Sequence, residues 1–210
     1  MPGYCVAMVV SACLAQAAEF PAAAIDVPSN RDGGVAVFAG GCFWGMEAVF
    51  EHLKGVRDVT SGYTGGSALT AHYEIVSTGR TGHAESIRVA YDPSRISYGK
   101  LLQVFFGVAH DPTELNRQGP DEGTQYRSAV FYLSPEQKRA AESYIQQLAK
   151  EKVFRHPIVT QVVALNGFFE AEDEHQDFIA RNPTNPYVVY NDLPKIDRLK
   201  RQFPDLFQQR

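Results

Sequence analysis

The spacing of apolar residues changes along the chain, and each change predicts where a strand gives way to a helix. Residues 35–39 form a short apolar run of the kind found in buried strands, and two glycines follow it. Apolar residues then recur at helical spacing, at Met46, Val49, Phe50 and Leu53. We therefore predict a strand, a tight glycine turn and a helix, with Cys42 where the helix begins.

The same patterns predict the other elements of a mixed α and β domain. Strands are predicted over residues 56–63, 85–91, 128–133 and 158–165, and helices over residues 98–109 and 135–152. Each of these helices follows a serine that can cap it, Ser97 and Ser134. The order of elements predicts an α+β fold, a two-layer sandwich of a mixed β-sheet with helices packed on it and a ferredoxin-like core. Residues 182–210 are predicted to be an irregular C-terminal tail packed on this body.

The start of the chain has the pattern of an export signal. An apolar run over residues 6–14 precedes Ala15-Gln16-Ala17, a small-x-small cleavage pattern. We therefore expect a protein that is periplasmic or secreted. The predicted divisions of the chain are a signal peptide over residues 1–17, a linker over residues 18–34 and one domain over residues 35–210.

Two alternatives to this location stay open. The residues before the apolar run include no Lys or Arg, which signal peptides normally carry, and without a functional signal the protein would be cytoplasmic. Residues 10–13 also resemble a lipoprotein cleavage box, in which Cys13 would carry a lipid anchor. The apolar run is too short for a transmembrane helix, which needs about 20 residues.

Charge and cysteine content narrow the possible functions. The chain has 20 Lys and Arg against 24 Asp and Glu, a formal net charge of −4, and no basic cluster before the last segment, so we expect no nucleic-acid partner. Cys5 and Cys13 would leave with the signal peptide, which leaves Cys42 without a disulfide partner. A thiol at a helix N-terminus is favoured as a thiolate nucleophile, whereas a cysteine buried in apolar surroundings is inert.

Glu85 and a long polar loop are the first candidates to accompany the thiol. Strand alternation puts Glu85 on one face with Ile87 and Val89, where burial would raise its pKa toward a value useful for donating a proton. The alternative is an exposed glutamate at a strand end. The loop over residues 110–127 is longer than a compact domain needs, which favours a functional role, and it ends in an acid, a phenol and a guanidinium. A turn with solvated charges is the alternative there.

A third polar cluster covers residues 172–177 and includes His175. Its simplest interpretation is a solvated helix face. Because no second histidine lies at metal-binding spacing, we predict no metal site.

Four sequence blocks together resemble the peptide methionine sulfoxide reductase A family. They are Gly-Cys-Phe-Trp-Gly at residues 41–45, Thr-Gly-His-Ala-Glu at 81–85, Gly-Thr-Gln-Tyr-Arg-Ser at 123–128 and Ala-Glu-Asp-x-His-Gln at 171–176. The blocks follow the family's order and spacing, and the similarity covers about residues 35–186. The resemblance implies reduction of methionine sulfoxide, free or in proteins, with preference for the S epimer.

The resemblance also implies the roles of seven side chains. The Cys42 thiolate would attack the sulfoxide sulfur while Glu85 gives a proton to the oxygen. Tyr73 and Tyr126 would hydrogen-bond that oxygen. Phe43 and Trp44 would form the walls of a pocket for the S-methyl group of the substrate. Asp121 would order water or hold the substrate amide.

Two departures from the family pattern affect this expectation. Phe178 stands where the family often has a tyrosine, so one phenol proposed to line the site is lost. Residues 182–210 contain no cysteine, so the chain resembles the single-cysteine branch, whose Cys42 sulfenic acid cannot close an internal disulfide. We therefore expect no bound cofactor and an external reductant: a thioredoxin-like or glutaredoxin-like protein, or a small thiol. We also expect a monomer whose substrates are oxidised proteins or free methionine sulfoxide.

Two other functions fit part of the pattern. A cysteine hydrolase or acyltransferase would use Cys42 with His83 or His175 as a base within hydrogen-bond reach. A binding module for oxidised or hydrophobic peptides would use the aromatic pocket alone.

Overall fold

The structure, a computed structural model, describes residues 20–28 and 33–209. The predicted signal peptide over residues 1–17 lies outside these residues and stays a prediction. Within the described ranges, no helix is both long enough and apolar enough to cross a membrane.

Eight strands and six α-helices are found in this part of the chain. The strands are β1 (Gly34–Ala39), β2 (Val56–Thr64), β3 (Ala84–Tyr91), β4 (Arg117–Gln118), β5 (Asp121–Glu122), β6 (Ala129–Tyr132), β7 (Gln161–Ala164) and β8 (Phe169–Glu170). The α-helices are α1 (Phe43–Glu51), α2 (Tyr73–Val76), α3 (Tyr98–Val104), α4 (Pro135–Lys150), α5 (Phe178–Arg181) and α6 (Leu193–Gln202).

Six of the strands form one mixed sheet in the order β7-β6-β1-β3-β2-β8. All neighbouring pairs are antiparallel except β6 and β7, which are parallel. Strands β4 and β5 pair with each other as a separate short hairpin. The main core joins side chains of β1 and β3 to those of α1 and α3. The α+β class is confirmed, while the ferredoxin-like core remains our interpretation of the strand order.

The predicted helix over residues 98–109 is present, although its last turn widens. Ser97 caps α3 by accepting a hydrogen bond from the Lys100 N–H at 3.3 Å, and a π-helical turn, Phe105–Ala109, continues the helix. The predicted strand over residues 158–165 is shorter than expected. Its first part leaves the sheet because the Val159 N–H bonds the Pro112 carbonyl at 2.8 Å, in the long polar loop.

Part of the predicted linker is packed on the domain. Asp26 accepts hydrogen bonds from the Gly99 N–H at 2.7 Å and from the Ser97 hydroxyl, both at the start of α3. The Tyr144 hydroxyl of α4 donates to the Pro21 carbonyl, and the Phe20 ring lies edge-on to Phe154 at 6.1 Å. Residues 20–28 are therefore a strap across two helices and not a loose connection.

The tail over residues 182–210 was predicted to be irregular, and this is wrong for its centre. A π-helical segment, Val188–Asp192, runs into α6. Ile196 and Leu199 are buried, and Ile196 belongs to one hydrophobic cluster with Ala48 of α1. The tail thereby reaches the helix that begins at Cys42.

Candidate active site

The glycine turn between β1 and α1 places the thiol at a helix start, as predicted. Gly41 has a φ of 90°, a conformation that glycine adopts without strain, and a Cβ there would lie 2.6 Å from the Gln118 side chain. Cys42 is the N-cap residue of α1 and is only 7% exposed. A substrate must therefore bring its reacting atom into a nearly closed site.

Glu85 of β3 lies beside this helix start and is 2% exposed, so the predicted burial is confirmed. Its Oε2 atom accepts a hydrogen bond of 3.1 Å from the backbone N–H of Phe43, the residue after Cys42. Burial raises the pKa of Glu85 to about 8, the Phe43 hydrogen bond lowers it, and the charge of Asp121 raises it. The carboxyl is consequently protonated at neutral pH and can donate a proton.

The expectation that the helix start favours a Cys42 thiolate is wrong for the free protein. Burial raises the pKa of the thiol well above its ordinary value, and the carboxyl groups of Glu85 and Asp192, once ionised, raise it further. A hydrogen bond from the Trp44 backbone and the positive charge of Lys195 lower the pKa, but less. The resting site therefore holds a thiol.

The charges of Asp192 and Lys195 reach the thiol from the C-terminal tail. Lys195 Nζ lies 3.1 Å from Asp192 Oδ1, and Asp192 is fully buried. Gly45 makes room for the pair, since a Cβ there would lie 2.1 Å from Asp192 Oδ1 and 2.6 Å from Lys195 Nζ. Gly45 and Cys42 lie three residues apart on one helix face, so the ion pair sits beside the thiol. The sequence analysis missed both residues because no motif marks them.

Tyr73 and Tyr126 are both half-buried and lie near the reacting groups. Burial is the largest cause that raises the pKa of each phenol, and the charges of Glu85 and Cys42 raise both further. Asp121 raises both pKa values as well. Both phenols therefore keep their protons and can donate hydrogen bonds to an oxygen in the site.

Tyr187 is a further phenol of the site that the sequence analysis did not identify. Its hydroxyl donates a hydrogen bond to Asp121 Oδ2, and its ring meets the Trp44 ring edge-on at 5.9 Å. Burial raises its pKa, and the charge of Cys42 is the next cause. The C-terminal tail thus brings a phenol to the site, whereas position 178 supplies none.

The aromatic residues at the start of α1 form a fixed group. The Trp44 ring stacks on Phe178 with centroids 3.7 Å apart and planes 7° apart, and its Nε1–H donates to His175 Nδ1 at 3.3 Å. The Phe43 ring lies 5.8 Å from that of Tyr63 and 5.5 Å from that of His175. Phe178 therefore packs against one face of the indole and helps to hold the ring in place.

Neither candidate histidine acts as a base on the thiol in this geometry. His83 uses both ring nitrogens on a loop, with Nδ1 accepting from the Gly66 N–H at 3.3 Å and Nε2 3.0 Å from the Ser67 carbonyl. His175 Nδ1 is occupied by Trp44, and burial lowers the pKa of the ring. In residues 20–28 and 33–209, no hydrogen bond joins an imidazole to Cys42. The geometry thus disfavours the hydrolase hypothesis.

The cluster over residues 172–177 supports the site and is not a solvated helix face. Glu172 accepts hydrogen bonds from the Tyr73 backbone N–H at 3.0 Å and from the Tyr63 hydroxyl at 2.8 Å. The Gln176 side chain accepts from the Ser61 N–H at 2.9 Å and donates to its carbonyl at 3.0 Å. These bonds hold the cluster against β2 and fix the start of the helix that carries Tyr73.

Arg127 has a similar supporting role and does not enter the reaction geometry. Its guanidinium donates to the carbonyls of His83 at 3.0 Å and Gly82 at 2.9 Å, immediately before β3.

Among the described residues, no group of three or more His, Cys, Asp or Glu is arranged to hold a metal ion.

A buried thiol next to a helix start that also binds a protonated carboxyl, set in an α+β fold, is an arrangement that suits a cysteine-dependent enzyme. Comparison with known proteins specifies which one. The family model for peptide methionine sulfoxide reductase matches residues 34–206. The chain belongs to this family, and its activity is the reduction of methionine sulfoxide.

Curated relatives agree with this assignment. Peptide methionine sulfoxide reductase MsrA 2 of Mesorhizobium japonicum is 58% identical over 175 residues, which cover 83% of this chain and 90% of the relative. The protein of the same name from Synechocystis is 55% identical over 81% of this chain and 79% of its own length.

Solved structures of the family share the fold. Reduced Mxr1 from Saccharomyces cerevisiae superposes with a TM-score of 0.67 at 31% identity and covers 75% of this chain and 91% of its own. Methionine sulfoxide reductase A of Corynebacterium diphtheriae gives a TM-score of 0.65 at 34% identity, over 74% of this chain and 78% of its own.

Proposed function

We propose that the protein reduces the S epimer of methionine sulfoxide, free or in proteins, through a sulfenic acid on Cys42, and so repairs oxidised proteins. The single observation that supports this best is the buried Glu85 carboxyl. It accepts a hydrogen bond of 3.1 Å from the backbone N–H of Phe43, the residue after Cys42, and it has a pKa of about 8. A protonated acid at that place serves a substrate whose oxygen must leave as a hydroxyl.

The proposed reaction moves one oxygen atom and two electrons. The Cys42 sulfur attacks the sulfoxide sulfur, Glu85 protonates the oxygen, and the thiol proton replaces the one that Glu85 has given. The sulfur–oxygen bond of the substrate then breaks, and the hydroxyl ends on Cys42. The substrate sulfur is reduced to a thioether while the cysteine sulfur is oxidised to sulfenic acid.

This relay agrees with the protonation states of the resting site. Because the pKa values of both Glu85 and Cys42 are raised, both groups hold a proton at neutral pH. Tyr73 and Tyr126 donate hydrogen bonds to the oxygen as negative charge develops on it. Phe43 and Trp44 enclose the S-methyl group, and Asp121, oriented by the Tyr187 hydroxyl, holds the substrate amide or a water molecule.

We further propose that an external thiol regenerates the enzyme. Cys42 is the free cysteine of the described residues, and residues 182–210 contain none. Two reductant thiols would convert the sulfenic acid back to the thiol, with release of one water and formation of one disulfide. The reductant would be a thioredoxin-like or glutaredoxin-like protein, or a small thiol.

The location that we propose is the periplasm or the exterior, with the protein acting as a monomer. The pattern of residues 1–17 supports export, and a lipid anchor on Cys13 or a cytoplasmic location are the alternatives. N-terminal sequencing of cell fractions distinguishes them, since an intact Met1 in the cytosol would count against export.

Turnover of methionine-S-sulfoxide with dithiothreitol tests the proposed function. Wild type should turn over this epimer and Cys42→Ser should not. Equal activity of the two proteins would contradict the proposed role of Cys42. If wild type instead bound oxidised peptides without reducing them, the result would favour a binding module.

A further inference from the structure

The ion pair of Asp192 and Lys195 is buried, although the reaction proposed above does not use it. Asp192 is fully buried, and the side chain of Lys195 is 15% exposed. Lys195 Nζ lies 3.1 Å from Asp192 Oδ1, while Asp192 Oδ2 has no hydrogen-bond partner among the described residues. Burial of two charges costs free energy that their attraction often does not offset. A pair kept in such a place therefore indicates a role beyond stability.

The pair lies against the first turn of α1. A Cβ on Gly45 would lie 2.1 Å from Asp192 Oδ1 and 2.6 Å from Lys195 Nζ, so a side chain at this position would displace the pair. Residues three apart on a helix are neighbours on its surface, with about 5–6 Å between their Cβ atoms. Because Gly45 follows Cys42 by three residues, the ammonium lies within roughly 9 Å of the Cys42 Cβ.

The C-terminal tail fixes the ammonium in this position. Asp192 ends the π-helical segment and α6 follows at once, so Lys195 lies about one turn further along the same face. Val188 and Ile196, on either side of the pair, are buried in one apolar cluster with Ala48 of α1. The pair is therefore held on α1 by apolar packing before and after it.

Lys195 supplies a positive charge where the thiol has negative neighbours. Among the described residues, the charged groups that act most on Cys42 are Glu85 of β3, Asp192 of the π-helical segment and Lys195 of α6. The charge of Cys42 acts in turn on three phenols around it, Tyr73, Tyr126 and Tyr187. Since the phenols and Glu85 are protonated in the resting site, they carry no positive charge that could balance an ionised sulfur.

The charge of Lys195 also reaches two other groups near the glycine turn. Burial raises the pKa of Asp121, and the charge of Lys195 lowers it. Burial lowers the pKa of His110 to about 4, and Lys195 lowers it further. The His110 ring lies against Gly40, where a Cβ would be 2.8 Å from its Cγ. The ammonium is consequently directed toward the start of α1 and not toward solvent.

We propose that Lys195 is a positioning residue of the reaction, whose ammonium is held beside Cys42 by Asp192 and stabilises the sulfur as it loses its proton. In a buried site, a charge at this distance is screened little by salt and strongly felt. This inference rests on the proposed function, because it names a further residue for the same reaction. Lys195 acts through Cys42 and not on the substrate.

Two substitutions that each remove one charge should have opposite effects on Cys42. Lys195→Met removes the positive charge, so the pKa of the thiol should rise, whereas Asp192→Asn removes a negative charge, so it should fall. The rate at which iodoacetamide alkylates Cys42 follows the thiolate fraction, and mass spectrometry of the Cys42 peptide measures it in the full-length protein. At each pH below the midpoint, Lys195→Met should react more slowly than wild type and Asp192→Asn faster.

Single-turnover reduction of N-acetyl-methionine-S-sulfoxide amide measures the effect on the reaction. This substrate has no carboxylate that a lysine could bind. Lys195→Met should lower the rate at about pH 7 roughly tenfold, with an unchanged half-saturating concentration. Lys195→Arg keeps the charge and should recover most of the rate.

Lys200→Met and Asp197→Asn are the matched controls. The two residues form a pair with the same spacing on α6, with Lys200 Nζ 3.6 Å from Asp197 Oδ1, but their side chains are 50% and 60% exposed. Both variants should match wild type in alkylation and in single turnover.

Three results would overturn the proposal. They are unchanged alkylation in both Lys195→Met and Asp192→Asn, changes in the same direction in both, or a loss of rate confined to free methionine-S-sulfoxide, which would make Lys195 a binder of the substrate carboxylate. A wild type without turnover would instead refute the proposed function. Alkylation of Cys42 would still test Lys195 in that case, so the two failures are distinguishable.

Discussion

Glu85 Oε2 accepts a hydrogen bond of 3.1 Å from the backbone N–H of Phe43. One of the N–H groups that a helix leaves unpaired in its first turn thus binds the acid, while Cys42 lies one residue earlier. The same bond fixes the position of the carboxyl and moderates the rise of its pKa. Nucleophile and acid are therefore held at one helix start, and changes to either residue should separate their roles.

Replacement of the acid should slow the chemical step. Glu85→Gln keeps the shape of the side chain but cannot relay a proton, so the single-turnover rate at about pH 7 should fall roughly 10²-fold to 10⁴-fold. In wild type the rate should decline as pH rises through about 8, where Glu85 loses its proton, and the variant should lack that decline.

Quenched single-turnover assays with methionine-S-sulfoxide measure both effects. Glu170→Gln, whose side chain is 61% exposed on β8, is the control and should match wild type. A Glu85→Gln rate equal to that of wild type would remove Glu85 as the acid.

The raised pKa of Glu85 should also make stability depend on pH. Its folded-state pKa of about 8 lies above the ordinary 4.5, so between these values the folded protein holds a proton that the unfolded chain has lost. The contribution of Glu85 to the free energy of unfolding is therefore fully present below about pH 4.5, and it declines as the pH rises from there to about 8. Glu85→Gln should be more stable than wild type near pH 8, by about 1 kcal/mol or more, and should lose this advantage near pH 4.

Urea unfolding at several pH values measures this difference. Comparison with wild type at each pH is needed because burial raises the pKa of Glu47 to about 8 as well, and both proteins share that contribution. A stability difference that does not vary with pH would contradict the assignment.

Loss of the Tyr187 hydroxyl should weaken substrate binding. Tyr187→Phe keeps the ring against Trp44 but removes the hydrogen bond that orients Asp121 and lowers the pKa of that acid. A hydrogen bond to a charged group contributes about 1.5–3 kcal/mol, so KM for N-acetyl-methionine-S-sulfoxide amide should rise about tenfold. Tyr132→Phe, at the end of β6 that lies away from Ala39 and Cys42, is the control. An unchanged KM in Tyr187→Phe would show that Asp121 does not depend on this bond.

The strap over residues 20–28 should stabilise the fold without affecting the reaction. Asp26→Ala removes the acceptor for the Ser97 hydroxyl and the Gly99 N–H at the start of α3. The free energy of unfolding should fall by about 1 kcal/mol, with unchanged turnover, and Asp26→Asn should recover part of it. Denaturant unfolding and activity assays of the same samples check this, and a loss of activity without a loss of stability would assign the strap a different role.

Local signals in the sequence were sufficient for the centre of the site. The apolar run, the two glycines and the helical spacing after Cys42 belong to one short stretch, and each is a direct consequence of backbone and packing preferences. The burial of Glu85 followed from strand alternation with Ile87 and Val89. The sequence of a single helix or strand is therefore enough to predict which of its own side chains are buried.

Contacts between distant segments could not be predicted in this way. Tyr187 and Lys195 reach the site only because the tail folds back onto α1, and no periodicity places them there. The pKa of Cys42 was mispredicted for the same reason, since the helix start was visible but its burial and the charge of Asp192 were not. The strap residue Asp26 was likewise taken for linker because its partners lie more than 70 residues away.

Mass spectrometry of Cys42 after one turnover tests the central claim most directly. The full-length protein, reduced and then freed of thiols, is mixed with methionine-S-sulfoxide, trapped and digested. We predict one added oxygen atom on the Cys42 peptide and one methionine formed per protein. Two results would contradict the claim that the enzyme stays in the sulfenic acid form until an external thiol reduces it. They are an unmodified Cys42 after methionine has formed, and a disulfide from Cys42 to Cys5 or Cys13.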